Sequence, residues 1–504
     1  MSIKDEHLSK IVAKNSAYGF GVAFVSKIGG FILTIMLARL LLPDLFGVYS
    51  LVLSIVMIAV TLTDVGADNT GARYMAKALA KGNKREARSY FRYLLKLKTI
   101  LTIIAVIIII IIAKPLSQTV FNKPAVFLPL IFSCLYLIVE PIRSFFTTPF
   151  SAKKDLKALP PLEAALQTSK IILSLIVIYV FSTSLKVSGV FVAFAISSLF
   201  SLSLISSTLI KKDRELIFGD VIKIDKKRVF NYMIFMGMTG ITLILFGSVD
   251  TIMLGHFVDS IFLGYYRAAF VLISSFSALL PFSGVLLPIF TQIGGKRLKR
   301  GVQKSFKYLI IVAIPLTIGL MILSKYIIFL LYGKEYLPAS VPLLFLSLLI
   351  IVTPLIALYS AIFQAKEKPM FLAKFAIISL LINIVLNYIL IKTLLSISQQ
   401  YAIIGAAIAT LISNIFLLAV LMIKTNSYFK IRPSIKMILK SIFATAIMSA
   451  FLLVFMKFVN INLFSGALMV ILGIIIYFFV IFLIKGLGKE DIDTFKLIIK
   501  KEEQ

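Results

Sequence analysis

The sequence has few of the residues that build disulfides, metal sites and enzyme centres. Its 504 residues include 1 cysteine, 2 histidines and no tryptophan. Because Cys134 is the sole cysteine, an intrachain disulfide and a zinc site of the Cys₂His₂ type are both excluded. The chain also lacks a P-loop, a metalloprotease motif and a serine-hydrolase motif. The composition therefore disfavours a conventional catalytic or ATP-binding centre.

Charged residues are scarce, and acidic residues are the scarcer kind. Only 15% of the residues are charged, 60% are hydrophobic, and 53 Lys and Arg stand against 22 Asp and Glu, a net charge of +31. Soluble domains average about 25% charged residues. The basic residues lie in short loops between apolar segments rather than on one basic face. We therefore interpret them as charges that face the cytoplasm and contact anionic lipid, and we expect no nucleic-acid partner.

The apolar residues form blocks of about 20, the length that crosses about 30 Å of hydrocarbon. We predict an all-α integral membrane protein with about fourteen membrane helices. The predicted spans are 16–38, 45–66, 93–113, 125–147, 162–182, 187–210, 231–254, 263–287, 307–331, 340–363, 370–391, 402–423, 437–459 and 463–484. The alternation of Lys- and Arg-rich loops places both termini in the cytoplasm. The polar N-terminal segment has no small-residue cleavage site, so no removable signal peptide is expected.

An internal repeat divides the predicted helices. Thr-Ile-Met-Leu occurs at residues 34–37 and again at 251–254, an offset of 217 residues. At the same offset Gly47 corresponds to Gly264 and Tyr49 to Tyr266. An even number of helices separates the copies, so they have the same orientation and predict two parallel six-helix lobes. We predict lobes at 1–222 and 223–430, followed by two further helices and a cytoplasmic tail at 431–504.

Basic and acidic residues inside predicted spans are candidates for function, because charge is costly in hydrocarbon. Lys27 lies near the middle of the first helix and predicts either substrate binding or an internal ion pair. Glu140 and Arg143 share one face of the fourth helix, so a structural pair and a functional site are both open. Lys170 and Arg267 fit either substrate binding or snorkelling. Arg73 follows Asp64 and Asp68 at the end of the second helix and is equally open to a structural role.

The surplus of cations over anions within the spans predicts a cationic cavity. A phosphate or diphosphate suits such a cavity, because Arg forms bidentate contacts and Lys acts as a point charge. The substrate-binding candidates are Lys27, Arg39, Arg73, Glu140, Arg143, Lys170 and Arg267.

A second constellation predicts a cation site. Asp250 ends the seventh helix, Asn383 and Asn387 are spaced i,i+4 on the eleventh, and Thr410 lies on the twelfth. Together they offer oxygen ligands with one negative charge, which a small hard cation prefers. The alternative is that the Asn and Thr side chains form hydrogen bonds between helices.

Four segments, in this order, resemble the polysaccharide biosynthesis and export flippases of the multidrug/oligosaccharidyl-lipid/polysaccharide (MOP) flippase superfamily. The first runs from Ala38 to Ser50 and contains Arg39. The others are Thr63-Asp64-Val65-Gly66 with Arg73-Tyr74-Met75-Ala76, Leu331-Tyr332-Gly333-Lys334-Glu335-Tyr336 with Pro338-Ala339, and Gly405-Ala406-Ala407-Ile408-Ala409-Thr410. The resemblance spans the first twelve predicted helices.

This resemblance implies two six-helix lobes that form a V around a central cavity and rock in alternating access. It implies transport of a polyprenyl-linked oligosaccharide from the inner to the outer leaflet. In the lipid II flippase branch a sodium site lies between helices 7, 11 and 12, and Asp250, Asn383, Asn387 and Thr410 fall on the matching helices. Asn387 stands where that branch carries a carboxylate, which halves the negative charge.

The leading hypothesis is a flippase in a prokaryotic cell membrane, expected to be a monomer that contacts membrane lipid and works with glycan polymerase or assembly proteins. It needs no cofactor beyond coupling to Na⁺ or H⁺. The alternative is a cation-coupled multidrug antiporter of the same superfamily, in which an acidic cavity is expected. A membrane glycosyl- or acyltransferase is the third hypothesis. It would need paired carboxylates or a His/Asp motif at the membrane surface, which the sequence lacks.

Overall fold

A computed structural model describes residues 3–278, 290–291, 293–366, 369–431, 434–458 and 463–487 of the chain. Within these ranges the regular elements are all helical, which confirms the predicted all-α class. The helices are α1 (Ile3–Asp64), α2 (Ala67–Ala80), α3 (Lys84–Pro115), α4 (Phe127–Phe145), α5 (Thr148–Lys153), α6 (Leu159–Val180), α7 (Lys186–Ile217), α8 (Lys226–Phe257), α9 (Ser260–Ala278), α10 (Gly295–Ile322), α11 (Ser324–Tyr332), α12 (Ser340–Ser347), α13 (Leu349–Ala365), α14 (Pro369–Leu395), α15 (Gln399–Phe429), α16 (Ile435–Phe458) and α17 (Leu463–Leu483).

Helix α1 is broken at Leu42. Leu42 has φ 60° and ψ 168°, which is not helical, and Pro43 follows it. Proline lacks an amide donor and disfavours the α conformation of the residue before it, so the break follows from the Leu-Pro sequence. The helical region Ala17–Ala80 has 64 residues, which would extend about 96 Å at 1.5 Å per residue if it were straight, far more than one membrane crossing. The break lies where the sequence predicts the turn between the first two spans.

Of the described residues, 12 helices are long and apolar enough to cross a membrane, or 13 if the bent helix α8 counts as one span. The segment that contains the break at Leu42 is counted once in this total. The predicted eighth span, 263–287, and the predicted tail both extend into residues outside the described ranges. Fourteen spans and cytoplasmic termini remain predictions.

The two copies of the repeat contact each other through Gly47 and Gly264. A Cβ atom on Gly47 would overlap the carbonyl oxygen of Ser260, and a Cβ atom on Gly264 would overlap the carbonyl oxygen of Pro43. Pro43 and Ser260 are themselves related by the repeat, since 260 − 43 = 217 and 264 − 47 = 217. Each glycine therefore packs on the residue four positions before its counterpart. The contact is reciprocal, as at a two-fold interface.

Helix α8 packs along the second half of α1. At one end a Cβ atom on Gly66, whose φ is +80°, would lie 2.6 Å from the amide nitrogen of Gly237. At the other end a Cβ atom on Gly255 would lie 2.6 Å from Leu51 Cδ1. Small residues at both ends let the two backbones approach closely, as is common between membrane helices.

The end of α8 near Gly255 is also held by the loop between α3 and α4. Lys123 Nζ donates to the carbonyl oxygen of Gly255 at 2.6 Å, and His256 Nδ1 lies 2.5 Å from the carbonyl oxygen of Val120. Burial lowers the pKa of Lys123, against the opposing attraction of Asp259 and Asp44. This loop lies at the predicted outer end of the helices.

The described residues divide by internal contacts into two units. The first extends to Val271 and includes Ala376–Ala406, and the second comprises Leu272–Phe375 and the residues from Ala407 onward. One core cluster of the first unit is built on α2, α3 and the end of α4 around Phe91, Leu94 and Phe145. One core cluster of the second unit is built on α10 and α13 around Phe306, Leu358 and Phe363. The predicted lobes at 1–222 and 223–430 remain a prediction.

The linker between α7 and α8 is fastened to the start of α3. Arg88 is 6% exposed and donates to the carbonyl oxygens of Glu215 and Asp220, the latter at 2.7 Å. Ser89 Oγ accepts a hydrogen bond from the amide of Ile222 at 2.8 Å. These bonds satisfy backbone groups that a buried turn would otherwise leave unpaired. They fix the course of the linker as far as Ile222.

Candidate functional site

Glu140 and Arg143 form the ion pair that their spacing on α4 predicts. Arg143 Nε donates to Glu140 Oε2 at 2.8 Å, and Arg143 Nη2 donates to Glu140 Oε1 at 2.6 Å. The side chains are 12% and 11% exposed, so the pair is largely shielded from solvent. Ser198 on α7 also donates to Glu140 Oε2, at 2.7 Å. The geometry is bidentate, the arrangement in which a guanidinium group binds carboxylate or phosphate most strongly.

Lys170 on α6 is buried among aromatic side chains. It is 9% exposed, and its Nζ lies 5.2 Å from the ring centroids of both Tyr136 and Phe194. Within the described residues its ammonium group donates to no oxygen atom. Two aromatic faces stabilise a desolvated cation, but only in part. Lys170 therefore keeps its hydrogen-bonding capacity for an anion.

A cavity of about 130 Å³ lies beside the ion pair of Glu140 and Arg143. It is lined by Arg143 and Glu163 together with residues of α1, α4, α6 and α7. Glu163 Oε1 accepts from Gln167 Nε2 at 2.8 Å. Glu163 and Lys170 lie seven residues apart on α6, so they share a face of that helix. This volume has room for a few water molecules, which is much less than an oligosaccharide needs. We did not predict Glu163 from the sequence, because it lies at the start of a span where a carboxylate suits the interface.

A second buried cluster joins α1, α2 and α3. Lys98 is 1% exposed and its Nζ lies 2.8 Å from Asp64 Oδ1 and 2.5 Å from Asp68 Oδ1. Ser144 donates to Asp68 Oδ2 at 2.7 Å. Lys98, bound between the carboxylates of Asp64 and Asp68, stabilises the turn that contains Gly66. We did not predict from the sequence that Lys98 binds these two aspartates.

The remaining basic candidates lie in separate places within the first unit. Lys27 is exposed on a face of α1 with Phe24 and Ile28, and among the described residues it contacts no carboxylate. Arg39 is exposed just before the break in α1. Arg73 lies 4.6 Å from the ring centroid of Tyr232 and donates to its hydroxyl at 2.6 Å.

Arg267 on α9 donates to Thr251 Oγ1 at 3.3 Å and lies 5.3 Å from the ring centroid of Phe270. Its guanidinium group is therefore held between α8 and its own helix. The structure places Arg267 near the aspartate predicted for the cation site.

Asp250 is the centre of a buried hydrogen-bond cluster. It is 2% exposed, and Tyr266 donates to its Oδ2 at 2.6 Å. Asn387 Nδ2 donates to its Oδ1 at 2.7 Å, and Asn383 Nδ2 does so at 3.3 Å. The structure therefore brings together three of the four predicted cation ligands and adds Tyr266. The sequence marked Tyr266 only as a repeat position.

The amides of Asn383 and Asn387 present N–H groups to Asp250, while a cation site needs oxygen atoms there. Asn387 Oδ1 is buried and accepts no hydrogen bond from the described residues. Reversal of this amide would turn an oxygen toward Asp250. The fourth predicted ligand, Thr410, belongs to the second unit, where it is 2% exposed and its carbonyl oxygen accepts from Asn414 Nδ2 at 2.8 Å.

Two family models match the chain. A model described as polysaccharide biosynthesis protein matches residues 12–294, and one described as lipid II flippase MurJ matches residues 270–474. The first covers more than half of the 504 residues and includes Glu140, Arg143, Lys170 and Asp250.

A curated relative and two solved structures are also similar. The probable low-salt glycan biosynthesis flippase Agl15 of Haloferax volcanii is 24% identical over 194 residues, which is 37% of this chain and 39% of that protein. The chain thus spans about two fifths of the curated relative that it matches. The structure of lipid II flippase MurJ in an inward closed conformation superposes with a TM-score of 0.73 at 17% identity, over 92% of this chain and 97% of that chain.

An inward-facing multidrug resistance MATE family transporter of the MOP superfamily superposes with a TM-score of 0.62 at 13% identity, over 81% of this chain and 94% of that chain. At these identities the superpositions establish a shared fold. Together with the 12 apolar helices of the described residues, the matches identify a multi-pass membrane protein.

Proposed function

We propose, on the premise that this chain belongs to the polysaccharide biosynthesis protein family, that it is a flippase for a polyprenyl-(di)phosphate-linked oligosaccharide. The observation that carries the proposal is the buried bidentate pair of Arg143 and Glu140 beside a small cavity, with Lys170 nearby. Charged side chains inside a membrane are costly and commonly mark functional sites. A negatively charged diphosphate is the natural ligand of an arginine and a lysine held in this way.

In the proposed mechanism Arg143 exchanges partners. When the diphosphate enters, the guanidinium group turns from Glu140 to the phosphate oxygens, and Ser198 continues to donate to Glu140. Lys170 supplies a second positive charge from between its aromatic neighbours. Because the cavity of about 130 Å³ is too small for a sugar chain, the helices must separate before the glycan enters. The polyprenyl tail stays in the bilayer, and alternating access moves the headgroup from the cytoplasmic to the outer leaflet.

Cation coupling is a second part of the proposal. Asp250, Asn383 and Asn387 offer one carboxylate and two amides in a buried place, and Thr410 is the predicted fourth ligand. We infer that Na⁺ or H⁺ at Asp250 competes with the hydrogen bonds from Tyr266 and the two asparagines. Entry of Na⁺ reverses the amides, and loss of the donated bonds loosens α8 from α9 and α14. Such a change supplies the differential binding that any ligand needs to shift a conformational equilibrium.

The proposed setting is the cytoplasmic membrane of a prokaryote, with both termini inside. There the protein works as a monomer that hands its glycan to a polymerase or an assembly protein. We propose that the chain acts as a transporter without a catalytic role.

Reconstitution in liposomes tests the function. Fluorescently labelled lipid-linked oligosaccharide is placed in the outer leaflet, and its transfer is followed by chemical quenching, with and without a sodium gradient. Transfer above that of protein-free liposomes is expected. If no glycan crosses while a cationic drug is exported against a sodium or proton gradient, the chain is a multidrug antiporter of the same fold instead.

A further inference from the structure

A cationic groove of about 650 Å³ lies between the start of α3 and the linker that leads to α8. Four basic side chains line it, and Tyr93 lies between them. The basic residues are Arg92 and Lys96 from α3 and Lys223 and Lys226 from the linker and the start of α8. Among the described residues that line the groove, none is acidic.

The groove has fixed walls. The bonds of Arg88 and Ser89 to the linker hold one wall against α3, and Arg92 Nη2 adds a bond to the carbonyl oxygen of Ile217 at 3.0 Å. Lys226 Nζ lies 5.9 Å from the ring centroid of Tyr93. The shape of the groove is therefore set by backbone contacts and does not depend on a ligand.

The four charges lack counter-ions. Within the part of the chain that the structure describes, no carboxylate lies within ion-pair distance of Arg92, Lys96, Lys223 or Lys226. The nearest acidic residue in sequence to Lys226 is Asp225, and its carboxylate accepts the amide of Arg228 at 3.0 Å as the helix cap. Four like charges on one groove repel one another, so an anion bound among them is strongly favoured.

The position of the groove indicates where the anion comes from. Arg92 and Lys96 lie on the same face of α3 as Ile100, Ile103 and Ile107, at spacings of four, four, three and four residues. These three isoleucines are 43%, 54% and 51% exposed, which is the lipid-facing surface of a membrane helix. The cations therefore begin one helical turn from the hydrocarbon surface, which is the depth of lipid headgroups.

We propose that this groove binds the phosphate headgroup of an anionic membrane phospholipid, whose acyl chains lie along the isoleucine face of α3. Arg92 donates to the phosphate oxygens, the three lysines surround them, and Tyr93 occupies the interface between headgroup and acyl chain. This lipid is a resident ligand and not cargo. The proposal does not depend on the transport function.

The test uses the full-length protein in detergent, with bound lipid measured by native mass spectrometry. Phosphatidylglycerol and phosphatidylcholine are supplied in equal amounts. The groove variant combines Arg92→Gln, Lys96→Gln, Lys223→Gln and Lys226→Gln. The matched control removes four exposed charges elsewhere, by Lys296→Gln, Arg297→Gln, Lys299→Gln and Arg300→Gln.

Wild type and control should retain phosphatidylglycerol in preference to phosphatidylcholine, and the groove variant should bind it about tenfold or more weakly, given the contribution of each basic residue at an anionic surface. Equal retention by the groove variant overturns the proposal. It is also overturned if inorganic phosphate displaces the lipid completely, or if polyprenyl phosphate displaces it at lower concentration, because the groove is then an ion site or a cargo site. The single variant Lys223→Gln, on the exposed linker, gives the same comparison if the fourfold variant fails to fold.

Discussion

Gly47 and Gly264 pack against each other so closely that neither position has room for a methyl group. The Cβ atom that a substitution adds to Gly47 would also lie 3.1 Å from the amide nitrogen of Gly264. The contact joins backbone to backbone, so neither side can give way by a change of rotamer. The two glycines are equivalent positions of the repeat, so its two copies meet at this contact.

Alanine at either glycine should destabilise the packed state. Gly47→Ala and Gly264→Ala should each cost about 1–3 kcal/mol, the usual cost of overpacking. Gly30→Ala and Gly247→Ala are the matched controls, because nothing lies within 4 Å of a Cβ atom at those positions. Thermal unfolding in detergent measures the effect as a lower midpoint temperature. Equal midpoints for Gly264→Ala and Gly247→Ala would show that the backbones do not meet as described.

Removal of one member of the pair on α4 should be more harmful than removal of both. Glu140→Gln leaves Arg143 without its carboxylate, and breaking a buried pair in this way costs about 3–5 kcal/mol. The double variant Glu140→Gln with Arg143→Gln should recover part of that stability but should not transport. Unfolding midpoints and flipping rates on the same preparations separate the two effects. Transport by the double variant at the wild-type rate would exclude the pair from substrate binding.

Lys170→Met should abolish transport with little loss of stability. Methionine fills the same space between Tyr136 and Phe194 and relieves the desolvation of a buried charge. The flipping rate should fall at least tenfold, while the unfolding midpoint stays the same or rises. Lys157→Met, at an exposed position, is the control. A large drop in midpoint without loss of transport would assign Lys170 a purely structural role.

Lys27→Ala should abolish transport while membrane insertion remains intact. Lys27 is exposed on α1 and has no carboxylate partner among the described residues, so its loss leaves no unpaired charge behind. Lys114→Ala, at an exposed position of the spanning helix α3, is the comparison. Yield after membrane extraction reports insertion, and the liposome assay reports transport. Full activity of the Lys27 variant would remove this residue from the mechanism.

Substitutions at Asp250 and Asn387 should alter the dependence of transport on Na⁺ in opposite directions. Asp250→Asn removes the only negative charge among the predicted ligands, so any stimulation of transport by Na⁺ or by lower pH should disappear. Asn387→Asp adds a second carboxylate and should lower the sodium concentration for half-maximal transport. The initial flipping rate as a function of sodium concentration measures both. An unchanged sodium response in Asp250→Asn would place coupling elsewhere.

Hydropathy predicted most of the fold, because apolar runs of about 20 residues permit little except membrane helices. It placed the turn at Leu42 and Pro43, where local sequence dictates the break. The repeat offset of 217 residues paired Gly47 with Gly264 correctly, and the structure brings this pair into contact. The i,i+3 spacing also predicted the bond between Glu140 and Arg143, because helix geometry alone brings such residues together.

The sequence could not predict contacts that depend on which helices become neighbours. In the sequence, Lys98 is one of many basic residues near the start of a helix. Only the packing of α2 on α3 places it between Asp64 and Asp68. The sequence marks Tyr266 only as a position of the repeat, and only the approach of α8 places Asp250 within reach of its hydroxyl. The predicted cationic cavity around the basic candidates stays a prediction. Lys27 lies on an exposed face of α1, whereas Arg143 and Lys170 are buried.

The hydrogen bonds between the linker and α3 limit how far α8 can move. Arg88 and Ser89 bind backbone groups of the linker. Substitution of the linker's side chains therefore leaves these hydrogen bonds in place. Between the anchored Ile222 and the first residue of α8 only residues 223–225 remain, a reach of about 10 Å when extended. Helix α8 can therefore pivot about its first turn but cannot slide far along α3. Movement of α8 relative to α3 is therefore restrained at that end.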